Sequence, residues 1–427
     1  METSIKKLPK SKIEIEITLS PSEFDEYYKK AILNLKEKIE MKGFRKGKVP
    51  LEIIEKEISQ AEILNQAAQL AIRESYFETV EKEKLEIIEK AEIEILKIAK
   101  SNLFIFKAKV SVLPGVDDLP DYKKIAAACK EKEISIEEKE VKDAMDWILK
   151  SRAKLIALDR EAQNGDFVEI EYSSLQIEGG AKKKDSFLLG QGHFIKGFEE
   201  KLEGMKAGEE KEFSLILDKN NIKKEIAGKE VSFRVKMKSI FKMELPELND
   251  EFAKSLGKFE NLAALKKNLR EGIKMEKSVK EKERHRTEIL EKIADLIKWD
   301  LPESLIEQER ERLFQDFKMS FSQNAGIFFE DYLKSNQKNE IEIKDSFLRL
   351  AEKNIKNFLI LRKIFEKEKI EVSEGEVNRE IEENLKQYPE AGFMEKNLDL
   401  EKIKHYTEDR IKNEKVFQFL ENLSKLS

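Results

Sequence analysis

Residues 43–50 read Gly43-Phe44-Arg45-Lys46-Gly47-Lys48-Val49-Pro50. Three cations within four positions can meet phosphates or acidic side chains, and Phe44 adds an apolar plug. The two glycines reach backbone conformations that other residues resist. From these residues alone the stretch is either an exposed docking tip or an ordinary helix–helix turn with solvated lysines. Little else has the makings of chemistry. The single cysteine, Cys129, can form neither an intrachain disulfide nor a zinc site, and within Ala126-Ala127-Ala128-Cys129 it reads as a small buried residue. The three histidines, His193, His285 and His405, stand far apart in sequence and read as surface or packing residues. No metal and no cofactor is expected.

A chain of 427 residues is too long for one core and suggests about three domains. Hydrophobic residues make up 40%, enough to build cores, and charged residues 39%, which suits extensive helical surface. With a net charge of −5, the whole molecule does not cling to nucleic acid by bulk electrostatics, so any contact with RNA needs a local basic patch. The basic start, Met1 to Lys12, runs into no apolar stretch and does not read as a secretory signal. No apolar run is long enough to span a bilayer. A cytoplasmic protein is expected.

The elements that must position these residues follow from hydrophobic period and glycine placement. Nine of the 17 glycines fall between Gly165 and Gly228 and five follow, which predicts a turn-rich β region and then a long helical one. Ile13, Ile15, Ile17 and Leu19 alternate as a half-buried strand does. Ser20-Pro21-Ser22-Glu23 reads as a helix cap with proline at the first helical position, and Phe24, Tyr28, Ala31, Leu35 and Ile39 continue at helical spacing. Phe104, Phe106, Ala108, Val110 and Val112 alternate as a later strand, ended by Pro114-Gly115. In the connector that follows, Ser135-Ile136-Glu137-Glu138 reads as a capping box, and Val141, Ala144, Trp147 and Ile148 form an apolar stripe in need of a partner. Val168, Ile170 and Tyr172, then Phe213, Leu215 and Leu217, then Val231, Phe233, Val235 and Met237 alternate as three strands. From Pro246 onward the pattern is helical, with a stripe of Phe347, Ile355, Phe358, Leu361 and Phe365 on one helix and a cap at Ser373-Glu374-Gly375-Glu376.

The basic stretch resembles the Gly-Phe-Arg-x-Gly-Lys-x-Pro signature of the trigger factor family, bacterial ribosome-associated chaperones. Every fixed position is present, at Gly43, Phe44, Arg45, Gly47, Lys48 and Pro50. The resemblance implies ribosome contact by Phe44, Arg45 and Lys46, supported by Gly43, Gly47 and Lys48, on the large subunit beside the exit tunnel, against a ribosomal protein and rRNA. Leu119-Pro120-Asp121-Tyr122 and Leu245-Pro246-Glu247-Leu248 look like junctions of that family. The fold class implied is multidomain α+β. It comprises a ribosome-binding α+β domain over 1–113, a connector over 114–160 packing on the helical body, an FKBP-like antiparallel β domain with a short helix over 161–243, and an all-α chaperone domain with helical arms over 244–427.

Phe187-Leu188-Leu189-Gly190-Gln191-Gly192 and Phe194-Ile195-Lys196-Gly197-Phe198-Glu199 resemble the FKBP-type prolyl isomerases. Isomerisation of an X–Pro bond needs no acid, base or nucleophile. The trans preference is only about 0.5–1 kcal/mol, and the rate is slow because rotation breaks amide resonance. An apolar aromatic pocket can grip the ring and desolvate the twisting imide. Tyr172, Phe187, Phe194, Ile195, Phe198 and Phe233 are the residues that could line it. As a catalytic set the resemblance assigns Tyr172, Phe187, Ile195, Phe198 and Phe233. Taken singly, aromatics on alternating strands are also what a plain core contains. The chain departs from the family at Asn220-Asn221-Ile222, where a tyrosine is usual, and at Ile177, where an aromatic is expected.

The reading is therefore a ribosome-associated chaperone for nascent chains with prolyl isomerase activity. The alternative is a binding protein with a degenerate, weakly active isomerase domain acting partly off the ribosome. Expected partners are the large ribosomal subunit and unfolded polypeptides, with no membrane, and the resemblance suggests a homodimer off the ribosome.

Overall fold

The structure is a computed structural model that describes residues 1–38, 50, 53, 57–116, 119–176, 180–217, 228–325, 329, 333, 339–387 and 400–425. The chain begins with β1 (Glu2–Leu8), β2 (Lys12–Leu19), α1 (Pro21–Lys38), α2 (Gln60–Lys82), β3 (Glu92–Lys97) and β4 (Phe104–Ser111). Its four strands form an antiparallel sheet in the order β1-β2-β4-β3. Ile13, Ile15, Ile17 and Leu19 of β2 and Phe104, Phe106, Ala108 and Val110 of β4 are buried with Phe24, Tyr28 and Ala31 of α1. The alternation visible in sequence is thus the inward face of the sheet. Phe24 stacks on Phe104 with ring centroids 4.6 Å apart. The first cap forms as expected: the Ser20 N–H donates to Glu23 Oε2 at 2.8 Å, and Pro21 opens α1. Strand β1 carries no alternation and is exposed at six of its seven residues. It is an edge strand held mainly by backbone pairing to β2.

The chain continues with α3 (Tyr122–Ala128) and α4 (Glu138–Ser151). The α4 cap falls later than Ser135, at Glu137, whose N–H donates to Glu140 Oε2 at 2.9 Å. The expected stripe also differs. Val141, Met145 and Leu149, spaced by one helical turn, are the buried residues, and Met145 and Leu149 pack on Phe252, Ala253 and Leu265. Trp147 points away from that line and is 71% exposed.

The middle region contains β5 (Lys154–Ala157), β6 (Phe167–Ser173), β7 (Lys183–Leu188), α5 (Phe198–Leu202), β8 (Glu210–Ile216) and β9 (Glu230–Glu244). Strand β9 runs for 15 residues, long enough to pair with β8 through its first half and β5 through its last residues. Strand β6 lies along its other edge and β7 beyond that, all antiparallel. Phe198 and Leu202 of α5 are buried on Val168, Ile170, Val235 and Met237.

Seven helices follow among the described residues: α6 (Asp250–Leu256), α7 (Leu262–Ala294), α8 (Glu303–Ala325), α9 (Glu340–Ser346), α10 (Leu348–Lys367), α11 (Glu374–Gln387) and α12 (Leu400–Lys425). Ile289 and Ile293 of α7, Ile360 and Ile364 of α10, and Val416 and Leu420 of α12 close around Tyr122 and Ala126 of α3, with Cys129 buried beside them. Phe347 lies at the junction of α9 and α10 and joins Phe314, Phe317, Phe321 and Phe329 in one aromatic cluster. The Ser373 cap of α11 forms, with the Ser373 N–H donating to Glu376 Oε2 at 2.8 Å. By compactness the chain divides into two units, residues 1–130 with 285–427, and residues 131–284. The architecture is multidomain α+β, with an α+β N-terminal part, an antiparallel β middle and a helical C-terminal part.

Candidate functional site

The aromatic residues of the middle region converge from four strands, one loop and one helix. Tyr172 lies near the end of β6, Phe187 on β7, Phe194 and Ile195 on the loop after it, and Phe198 opens α5. Phe213 on β8 and Phe233 on β9 are direct register partners. Phe194 lies flat on Phe198, with centroids 4.3 Å apart and planes 12° apart. Tyr172 meets Phe194 edge-on at 5.2 Å, Phe187 tilts against Phe194 at 4.9 Å, and Phe233 meets Phe198 edge-on at 5.2 Å. These are the offset and edge-to-face geometries that ring quadrupoles prefer. Phe187, Phe198 and Phe233 are buried, while Tyr172, Phe194, Ile195 and Phe213 keep part of their surface open. Every residue of the assigned set therefore belongs to one cluster. The Phe194–Phe198 stack sits at its centre, and Phe213 meets Phe198 edge-on at 5.3 Å.

Two further residues shape the cluster, and neither had a role assigned from sequence. Glu199 is buried, and its carboxylate accepts backbone N–H groups from Gly190 at 2.7 Å, Phe194 at 3.0 Å and Gly192 at 3.2 Å. Burial alone would push its pKa up. The N–H groups of Phe194, Gly192, Gly190 and His193 outweigh it and hold the carboxyl below its ordinary value. The loop bearing Phe194 is thus folded around an anion. Gly190 is required for this: its φ is +86°, and a Cβ there would meet Asn164 Oδ1 at 1.7 Å. His193 lies flat on Phe187, with centroids 5.2 Å and planes 11° apart, and its Nε2 is 3.4 Å from Asp185 Oδ2. Periodicity could not reveal either residue, because both act through a loop that returns on itself.

The part-open rings of the cluster present an apolar surface that suits an apolar ring. Among the described residues, no group of three His, Cys, Asp or Glu side chains is placed to hold a metal ion. Gly43, Phe44, Arg45, Lys46, Gly47 and Lys48, together with Ile177 and residues 220–222, lie outside the described residues.

Residues 1–148 match the family described as bacterial trigger factor protein, and residues 261–422 match its C-terminus. A trigger factor of Caldicellulosiruptor saccharolyticus is 34% identical over 95% of this chain and 90% of its own length. The chain belongs to the trigger factor family. Other relatives of that name are 33% identical in Caldicellulosiruptor bescii, over 100% of this chain and 98% of the relative, and 30% identical in Halothermothrix orenii, over 95% and 96%. A solved structure described as "Promiscuous Substrate Recognition in Folding and Assembly Activities of the Trigger Factor Chaperone" is similar in fold, with a TM-score of 0.50, 20% identity and 99% of each chain covered. In this trigger factor family member the aromatic cluster falls within residues 159–239, which match the FKBP-type peptidyl-prolyl cis-trans isomerases. Among the described residues no helix is long and apolar enough to cross a membrane.

Proposed function

We propose that the protein is a cytoplasmic, ribosome-docking chaperone for nascent chains whose middle domain accelerates prolyl isomerisation. The observation that carries the isomerase part is the clustering of Tyr172, Phe187, Phe194, Phe198 and Phe233 around rings that stay part-open, inside an FKBP-type region. A proline ring seated against the part-open Tyr172, Phe194 and Ile195, with Phe198 backing Phe194, would draw its imide out of water and lower the cost of twisting it. Tyr172, Phe187, Ile195, Phe198 and Phe233 form the proposed catalytic set, with Phe194 added. Docking is assigned to Phe44, Arg45 and Lys46, with Gly43, Gly47 and Lys48 shaping the loop, on the strength of membership in the family and the complete signature. The domain assignment follows the same lines: docking in 1–113, a connector over 114–160, isomerisation in 161–243 and client binding in 244–427.

Co-sedimentation with ribosomes tests the docking. Wild type should pellet, and Phe44→Ala/Arg45→Ala/Lys46→Ala should stay in the supernatant; equal pelleting would overturn the assignment. Isomerisation of a short proline peptide tests the middle domain, and a rate at the uncatalysed level would reduce it to a binding module. Suppression of aggregation by protein lacking residues 161–243 would assign chaperoning to the remaining parts.

A further inference from the structure

Strand β7 breaks the usual alternation at one position. Its register on β6 sets Asp185 opposite Ile170 and Phe187 opposite Val168, and Ile170, Val168 and Phe187 are all buried in the middle core. Alternation therefore turns Asp185 toward the core face, where an apolar side chain would be expected. A carboxylate at such a position needs partners, and Asp185 has two. Its Oδ1 accepts the Ser186 N–H at 2.8 Å, and its Oδ2 lies 3.4 Å from His193 Nε2. The His193 ring lies flat on Phe187 and meets Phe194 at 5.3 Å, with planes 64° apart. Its backbone N–H donates to Glu199, so the main chain and the side chain of His193 are each tied down. The His193 side chain is nonetheless 50% exposed. An ionisable pair thus borders Phe194, the part-open ring of the apolar cluster.

The ionisable groups on the elements around this imidazole are Asp185 and Lys183 on one face of β7, Lys196 on the loop, Glu199 on α5 and Tyr172 on β6. Carboxyl groups ordinarily titrate near pH 4, and lysine and tyrosine near pH 10, so imidazole is the side-chain type here that changes charge between about pH 6 and about pH 8. We propose that His193, oriented by Asp185, determines specificity at the proline site. Its protonation favours segments with an acidic side chain next to the proline over segments with a basic one. The inference rests on the isomerase reading of the cluster and adds a charge preference to it. Consecutive Cα atoms are about 3.8 Å apart, so a proline seated against Phe194 brings its neighbour's side chain within reach of the imidazole. The added proton attracts a Glu neighbour and repels a Lys neighbour, whatever the net charge of the rim. Asp185 acts in the opposite sense at both protonation states.

The test uses the full-length protein and short peptides with blocked termini, Ala-X-Pro-Phe and Ala-Pro-X-Phe, in which X is Glu, Gln or Lys. Their catalysed isomerisation is measured at about pH 6 and about pH 8. In at least one of the two peptide series, kcat/KM for the Glu peptide relative to the Lys peptide should rise about threefold or more from the higher pH to the lower, with the Gln peptide between them. His193→Gln should keep one ratio at both pH values, and His193→Lys should keep a higher ratio at both. Asp185→Asn should raise the ratio at both. Linkage is reciprocal, so the Glu peptide should raise the titration midpoint of the His193 imidazole proton resonance in wild type, and the Lys peptide should lower it. That resonance is identified by its loss in either His193 variant, and its shifts decide the matter even where a variant folds poorly. High salt should shrink both effects. A flat ratio in an active wild type, a ratio that moves the other way, or an equal change in His193→Gln overturns the inference and leaves the isomerase reading standing. If wild type speeds none of the peptides at either pH, the isomerase reading falls, and this inference falls with it.

Discussion

The carboxylate of Glu199 accepts the backbone N–H of Phe194 at 3.0 Å, so the ring at the centre of the aromatic cluster is held by the residue that follows its stacking partner, Phe198. One buried charge thereby sets both faces of the stack. The loop positions Phe194, the helix positions Phe198, and Glu199 joins them. Geometry of this kind lets a site made of apolar rings keep a defined shape although part of it is open to water.

Replacing the two stacked rings should separate stability from activity. Phe198 is fully buried, and Phe198→Ala should cost about 3–5 kcal/mol in unfolding of the middle domain. Phe194 is half-open, so Phe194→Ala should unfold with a smaller loss yet lower kcat/KM for a proline peptide by about tenfold or more. Denaturant unfolding and a coupled isomerisation assay read the two effects. Unchanged kcat/KM in Phe194→Ala would remove that ring from the proposed pocket.

The depressed pKa of Glu199 carries a pH signature. Its folded value lies below the unfolded one, near 4.3 for an ordinary glutamate. Its stabilising contribution is therefore complete above the unfolded pKa and is lost as pH falls toward and through the folded value. Hydrogen exchange across residues 188–198 should speed up in wild type as pH drops below about 4.3, after correction for intrinsic rates. Glu199→Gln should already exchange fast at neutral pH and show little further change in acid. A wild-type loop that stays protected through that range would show that the carboxylate does not hold it.

Gly190→Ala distinguishes two sources of strain at the same position. The added Cβ would meet Asn164 Oδ1 at 1.7 Å, but Asn164 is exposed and its amide can rotate away. The φ of +86° cannot be relieved in that way, and left-handed backbone costs a side-chain-bearing residue about 1–2 kcal/mol. Gly190→Ala should therefore lose about that much, and adding Asn164→Ala should restore little of it. Thermal unfolding of the single and double variants decides; full rescue would assign the cost to the clash.

How much of this was legible in sequence follows from which residues are buried and by what. The inward faces of β2 and β4 are alternating hydrophobics, so Ile13 to Leu19 and Phe104 to Val110 declare themselves. The caps at Ser20 and Ser373 are local and were equally plain. Strands β1 and β5 were silent because they are exposed edge pieces paired through backbone. The orientation of α4 could not be read, since Trp147 and Met145 are both apolar and only the packing of Phe252 and Leu265 selects between them. At the aromatic site, the residue types came through family resemblance, while the roles of Glu199 and His193 depend on a loop whose path no period encodes.

The helical part offers a test in which desolvation decides the outcome. Arg286 of α7 donates two bonds of 2.7 Å to Glu414 and one of 2.5 Å to Glu421, both on α12, and lies over the Phe417 ring at 4.6 Å. Glu421 is almost wholly buried, whereas the Glu414 side chain is 40% exposed. Arg286→Ala strands the buried Glu421 carboxylate and should cost about 3–5 kcal/mol. Glu414→Gln leaves Arg286 paired to Glu421 and should cost about 1 kcal/mol or less. The combined change Arg286→Met/Glu421→Leu removes both buried charges and keeps the volume, so it should recover most of the loss from Arg286→Ala. Urea unfolding of the four proteins measures the differences. If Arg286→Met/Glu421→Leu were as unstable as Arg286→Ala, the cost would lie in lost attraction and not in an unpaired buried charge.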